Sequence, residues 1–165
     1  MSRVDSVAAY VGIGSNLHEP ERQVRRAIEA LASIPQTRCV RASRLFRTAP
    51  WGRADQPSFV NAAAEIATTL EPRDLLDALL EIERAQGRHR DGTRWGPRTL
   101  DLDMLLYGDR AIDEPGLAIP HPHLAERAFV LLPLSDLDAA LHVPGGGRIS
   151  ELLRAVDTNG VSPLP

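Results

Sequence analysis

Lysine is missing from this chain: nineteen of its 165 residues are basic, and all nineteen are arginine. Its absence excludes a Walker A phosphate loop, a Schiff-base amine and a lysine general base, although a bias in genome composition accounts for it just as well. Cysteine is nearly absent too. Cys39 stands alone, so there is no intramolecular disulfide and no cysteine-rich metal site, and a reducing cytoplasm is the expected setting. Aromatic residues make up only 4% and the net charge is -3, a poor basis for nucleic-acid binding, which needs stacking platforms and an excess of cations over a whole face. No stretch approaches the roughly 20 apolar residues of a membrane span. The opening segment MSRVDSVAAYVGIGSNL lacks the apolar core of a secretory leader. Neither membrane insertion nor secretion is expected.

What is present reads as an ordinary globular chain, 43% hydrophobic and 25% charged, of a length that suits one domain over 1–165. Val7 to Ile13 is an apolar strand, and Glu19 to Ile34 spaces Val24, Ala27, Ile28 and Leu31 as an amphipathic helix that Pro35 ends. Thr37 to Arg47 and Phe59 to Thr69 read as strands two and three, joined by an irregular stretch holding Pro50, Trp51, Gly52 and Pro57. A second helix runs from about Pro72 to Gln86 and is closed by Gly87, and a fourth strand follows. The order β-α-β-β-α-β predicts an α+β, ferredoxin-like core, with two helices on one face of an antiparallel sheet. C-terminal additions come next: an extended piece ending at Ile119, an HPH turn, a helix near Leu124 to Leu132 and another from Ser150 to Val156. The tail after Asp157 is expected to fray.

The densest chemistry lies in Gly87 to Tyr107, GRHRDGTRWGPRTLDLDMLLY. Side chains alternate along a strand, so Asp101 and Asp103 share one face while Leu100, Leu102, Met104 and Leu106 take the apolar one. Two neighbouring carboxylates need a compensating cation, and Mg²⁺ held by one or two carboxylates plus substrate phosphates is a common solution. Arg88, Arg90, Arg94 and Arg98 add planar forked donors that match phosphate oxygens. The same alternation also describes a solvated face of an edge strand. A loop combining Trp95 with turn formers and two flanking arginines favours a binding role.

Other features are more ambiguous. Gly12, Gly14, Ser15 and Asn16 carry no dinucleotide spacing and read as a tight strand-to-helix turn. His121 and His123 flank Pro122, with Arg127 four residues on. They suit contact with a phosphate as well as they suit a plain proline turn, and no third zinc ligand lies nearby. Phe59 and Phe129 read as core residues or as stacking platforms, and Asn61 shares the strand face of Phe59, where its carboxamide could meet the edge of a flat heterocycle.

The segments YVGIGSNL, RTAPWG with DQPSFVNAA, and GRHRDGTRWGPRTLDLDMLLYG with IPHPHLAERAFVLLPL resemble the 6-hydroxymethyl-7,8-dihydropterin pyrophosphokinase family of folate biosynthesis, from Ala8 to about Leu153. The resemblance implies transfer of pyrophosphate from MgATP to the hydroxymethyl oxygen of a reduced pterin, releasing AMP. It implies two Mg²⁺ ions on Asp101 and Asp103. Arg88 and Arg98 would steady the moving phosphoryl charge, with Arg90, Arg94, His121 and Arg127 binding the triphosphate. Phe59 and Phe129 would sandwich the pterin, with Asn61 at its edge, backbone near Thr48 and Trp51 completing the pocket, and Trp95 closing over it. A monomer with no nucleic-acid or membrane partner is expected. Asp91, Gly116, Ala118 and Pro122 depart from the family pattern, which predicts altered ATP affinity before lost activity. A non-catalytic ligand-sensing domain would make the aspartates dispensable, and a sheet-surface RNA reader would need more aromatics. Neither accounts for the RWGPRTLDLD string.

Overall fold

The computed structural model describes residues 5–17, 19–49, 58–86 and 100–165. One antiparallel sheet organises it, built from β1 (Val7–Ser15), β2 (Thr37–Ala42), β3 (Phe46–Thr48), β4 (Phe59–Thr68), β5 (Asp101–Tyr107) and β10 (Val161–Pro163), with α1 (Pro20–Leu31) and α2 (Pro72–Ala85) between strands. The strands lie in the order β10-β3-β4-β1-β5, and β2 pairs with the far half of β4. This is the ferredoxin-like arrangement the element order predicts.

Alternate residues divide the sheet into two faces. Ala9, Val11 and Ile13 of β1, Val60, Ala62, Ala64 and Ile66 of β4, and Leu100, Leu102 and Met104 join Val24, Ala27, Leu31, Leu75 and Leu79 from α1 and α2 in one core. Leu31, Ile66, Leu75 and Leu79 have no exposed surface, and each contributes about 2 kcal/mol of hydrophobic stabilisation. The C-terminal additions cover part of the other face, making three layers. There Tyr10, Ala63, Leu105 and Leu106 meet Leu131, Leu134 and Leu137 of α3 (Ala128–Asp138) and Ile149 of α4 (Ile149–Arg154).

Four local expectations change. The continuous second strand from Thr37 to Arg47 breaks at 43–45, because Ser43 pairs with Ala63 through both its N–H and its Oγ, while Arg44 leaves the ladder to bond Asp136 of α3. Leu106 departs from the face of Leu100, Leu102 and Met104. The register passes from Tyr10 opposite Leu106 to Val11 opposite Met104, so Leu105 is an extra residue and the bulge turns Leu106 into the second core. The helix near Leu124 to Leu132 is a 3-10 turn at Leu124–Glu126 followed by α3, which runs on through Pro133 to Asp138 because Leu134 and Leu137 bury beyond it. The tail is not frayed. Val161–Pro163 pairs with β3, and the Leu164 N–H donates to Leu45 O at 2.8 Å, covering what would otherwise be an open sheet edge.

A small hairpin, β6 (Ile112–Glu114) with β7 (Leu117–Ile119), follows β5, and a two-residue pair, β8 (His142–Val143) with β9 (Gly147–Arg148), precedes α4. Among the described residues no helix is long and apolar enough to cross a membrane.

Candidate active site

The site lies on the α3-side face, where β1 ends and β4 and β5 begin. Strand register places the residues. Phe46, Asn61, Gly14 and Asp101 form one row across β3, β4, β1 and β5, and Ala63, Gly12 and Asp103 form the next row on the same face. Two strand spacings separate Asn61 from Asp101, about 10 Å. Between them Gly14 has no side chain, so the sheet offers a bare backbone floor there.

That floor is tight. A Cβ on Gly14 would stand 2.9 Å from Asn61 Oδ1, whereas one on Gly12 would touch only the end of the Leu105 side chain at 3.3 Å. Gly12 and Gly14 are therefore strand residues, not the turn their sequence suggests. Glycine spaced by two within an apolar strand was the available signal, because it marks a close approach on one face.

Asp101 and Asp103 are half-buried and share the face that alternation assigns them. Support for them comes from a residue the motif does not show. Glu83 of α2 is 2% exposed, and its Oε2 accepts the Leu102 N–H at 2.7 Å, midway between the two aspartates. A glutamate on the buried stripe of Leu75 and Leu79 was its sequence signature.

On the β3 side of the row, Phe59 lies opposite Thr48, and Asn61 Nδ2 donates to Thr48 Oγ1 at 3.2 Å in a buried contact. Phe129, in the first turn of α3, is half-buried, with the Arg127 guanidinium 5.6 Å from its ring centroid. The HPH turn runs beside β5, where the His121 N–H donates to Leu105 O at 3.0 Å. The His123 N–H donates to His121 Nδ1 at 3.2 Å, and His123 Nδ1 lies 3.2 Å from Glu126 Oε2. Burial pushes the His121 imidazole below its ordinary pKa, and the charges of Arg127 and His123 add to that while Asp101 opposes it. His121, Arg127 and Asp101 therefore share one electrostatic neighbourhood, and His121 is poised as a neutral donor or acceptor.

Thr48, Phe59, Asn61, Asp101, Asp103, His121, Arg127 and Phe129 thus fall among the described residues. The expectations for Trp51, Arg88, Arg90, Arg94, Trp95 and Arg98 lie outside the described residues. Of the departures, Gly116 occupies the β6–β7 turn with φ +77, and its Cβ position meets open space. Arg73 of α2 bonds the neighbouring Pro115 O at 2.7 Å and Glu114 at 3.3 Å.

Comparison with known proteins gives these positions a context. Residues 10–139 match the model of the 7,8-dihydro-6-hydroxymethylpterin-pyrophosphokinase family. The chain is 52% identical to the 2-amino-4-hydroxy-6-hydroxymethyldihydropteridine pyrophosphokinase of Pseudomonas aeruginosa, over 94% of this chain and 96% of that one. It is 43% identical to the protein of the same name from Haemophilus influenzae, over 90% and 92%. In structure it is similar to Plasmodium falciparum HPPK-DHPS, with a TM-score of 0.73 and 13% identity over 94% of this chain, a likeness of fold. The chain spans 47% of that solved chain. A matched span from Tyr10 in the first strand to Ala139 just after α3, and a relative half identical along nearly its whole length, place this chain in the 7,8-dihydro-6-hydroxymethylpterin-pyrophosphokinase family.

Proposed function

We infer that this chain transfers the pyrophosphoryl group of ATP to the hydroxymethyl oxygen of 6-hydroxymethyl-7,8-dihydropterin, a step of folate biosynthesis that releases AMP. The hydroxymethyl oxygen bonds to the β-phosphorus, the bond from that phosphorus to the oxygen of the α-phosphate breaks, and the hydroxyl proton is lost. The observation that carries the placement of this chemistry is the row Asn61–Gly14–Asp101, which sets a carboxamide and a carboxylate on either side of a bare strand.

In our reading the pterin lies over that floor, stacked between Phe59 and Phe129, with Asn61 at its edge and backbone near Thr48 and Trp51 completing the pocket. Asp101 and Asp103 would hold Mg²⁺, two ions by family resemblance. The donor set suits it: both are hard oxygen ligands on one strand face, and Mg²⁺ completes its shell with water and phosphate. When bound, the metal supplies charge neutralisation for the phosphates and a more acidic hydroxyl. Arg88 and Arg98 stabilise charge on the phosphoryl group in flight, while Arg90, Arg94, His121 and Arg127 hold the triphosphate. By family resemblance Trp95 would exclude water, which would otherwise hydrolyse ATP. We take a single-domain monomer as the working unit, and the lone cysteine supports a cytoplasmic setting.

The test is AMP formation from ATP and Mg²⁺ with and without the dihydropterin, for wild type and Asp103→Ala. Pterin-dependent AMP that disappears in the variant is expected. A folded wild type that makes no pterin-dependent AMP overturns the assignment, and an Asp103→Ala enzyme of undiminished rate overturns the metal platform.

A further inference from the structure

We infer that the Thr48 hydroxyl is a positioning group that holds the Asn61 carboxamide in one orientation, with Oδ1 turned to the ligand, and so makes this edge of the site select for an N–H donor. The inference rests on the pterin reading above and specifies the chemistry of its recognition.

Register brings the two side chains together. Thr48 lies opposite Phe59 and Phe46 lies opposite Asn61, so Thr48 and Asn61 leave the same sheet face one pair apart. Both are almost fully buried, Asn61 at 7% and Thr48 at 6% exposure. An amide desolvated to that degree needs its hydrogen bonds made. Thr48 Oγ1 accepts from Asn61 Nδ2 at 3.2 Å, on the β3 side.

The amide is planar, with Nδ2 and Oδ1 on opposite sides of Cγ. Holding Nδ2 towards β3 therefore turns Oδ1 the other way, towards β1. A second observation agrees: the atom nearest to a Cβ built on Gly14 of β1 is Asn61 Oδ1, at 2.9 Å. Oδ1 thus lies over the bare floor, in space that only a glycine leaves open. Among the described residues the carboxamide has the single hydrogen bond to Thr48, so both lone pairs of Oδ1 remain for a ligand.

A dihydropterin carries ring N–H groups and an exocyclic amine, and these are donors. An acceptor held rigidly at the ring edge favours such a heterocycle over one with only ring nitrogens and carbonyls there, because the mismatched ligand would leave both partners buried and unbonded. Turned over, the amide would present a second donor to the floor and lose that selectivity.

The test compares wild type, Thr48→Val, Thr48→Ser, Asn61→Ala and the Thr48→Val/Asn61→Ala pair. Valine keeps the shape and removes the acceptor. The expected result is a KM for dihydropterin raised about tenfold in Thr48→Val, the scale of one buried hydrogen bond. KM for ATP and kcat should stay within about twofold, since a positioning role at the pterin edge touches neither. Thr48→Ser should restore pterin KM to within about threefold, and the double variant should be no worse than Asn61→Ala alone. Wild-type pterin KM in a folded Thr48→Val, or losses that add in the double variant, would overturn the proposal. A measurement on the unmutated protein covers the case in which valine prevents folding. One Asn61 side-chain N–H proton should be protected from exchange and stay so when pterin binds, and its release on binding would equally overturn the proposal. If wild type binds ATP and no dihydropterin, the assigned reaction fails and the inference falls with it. If wild type binds the pterin and Thr48→Val binds it equally well, the inference alone fails.

Discussion

Replacing Glu83 is the sharpest test of how the aspartate strand is held. Its carboxyl is 2% exposed and accepts the N–H of Leu102, the residue between Asp101 and Asp103, at 2.7 Å. Glu83→Leu keeps most of the volume and leaves that N–H buried without its acceptor, a loss of about 2–4 kcal/mol when the missing bond and the desolvated donor are counted together. Glu83→Gln retains an acceptor and should cost about 1 kcal/mol. For a chain of this size each kcal/mol lowers Tm by about 2–4 °C. Thermal unfolding should therefore show a drop of a few degrees for Gln and roughly 4–16 °C for Leu. The tether also sets where the two carboxylates stand, so the Mg²⁺ concentration for half-maximal rate should rise by on the order of tenfold in Glu83→Leu, the usual size of an outer-shell effect. A Tm for Glu83→Leu within about 2 °C of wild type would refute the energetic argument. A large Tm drop with unchanged Mg²⁺ dependence would refute the positional one.

Three further outcomes follow from the geometry. In Gly14→Ala the new methyl would stand 2.9 Å from Asn61 Oδ1, so the carboxamide must shift and strain its bond to Thr48. Pterin KM should rise about tenfold or more, with Gly12→Ala, which meets only the flexible end of Leu105, far milder; equal kinetics for Gly14→Ala and wild type would contradict this. His121 is held below its ordinary pKa by burial, with Arg127 and His123 adding to the effect. The folded chain then binds fewer protons than the unfolded one as pH falls. Stability from this group is present above the ordinary value near 6.5 and is lost as pH drops through the lowered one. Between pH 8 and 5, Tm should fall more steeply for wild type than for His121→Gln, and parallel curves would count against the shift. Truncation after Gly160 removes β10 and the bond from Leu164 to Leu45 O, exposing the edge of β3. It should lower Tm by several degrees and raise pterin KM through Thr48; a truncated chain as stable as the full one would show that the strand contributes little.

Local chemistry was legible in the chain itself. Period-two alternation placed Asp101 and Asp103 on one face, and the apolar spacing of Val24, Ala27, Leu31, Leu75 and Leu79 found both helices. The βαββαβ order limited the topology, since short connections and antiparallel pairing leave few ways to close such a sheet. The bulge at Leu105 was hidden, because an extra residue in one strand shows only against its partner. The docking of the tail was hidden for a similar reason: an edge strand is called for by an unpaired neighbour, not by its own side chains. Gly14 read as a turn while its neighbours were unknown, and Glu83 read as one more helical glutamate. Residue types and their periodicity depend on steps of two to four positions, which is why the elements, the apolar faces and the acid pair could be read from the chain alone. Which residues meet across the sheet depends on register between segments tens of residues apart. That Asn61, Gly14 and Asp101 form one row, that Thr48 holds the carboxamide and that Glu83 reaches the backbone between the aspartates became visible once the segments were paired and packed in space.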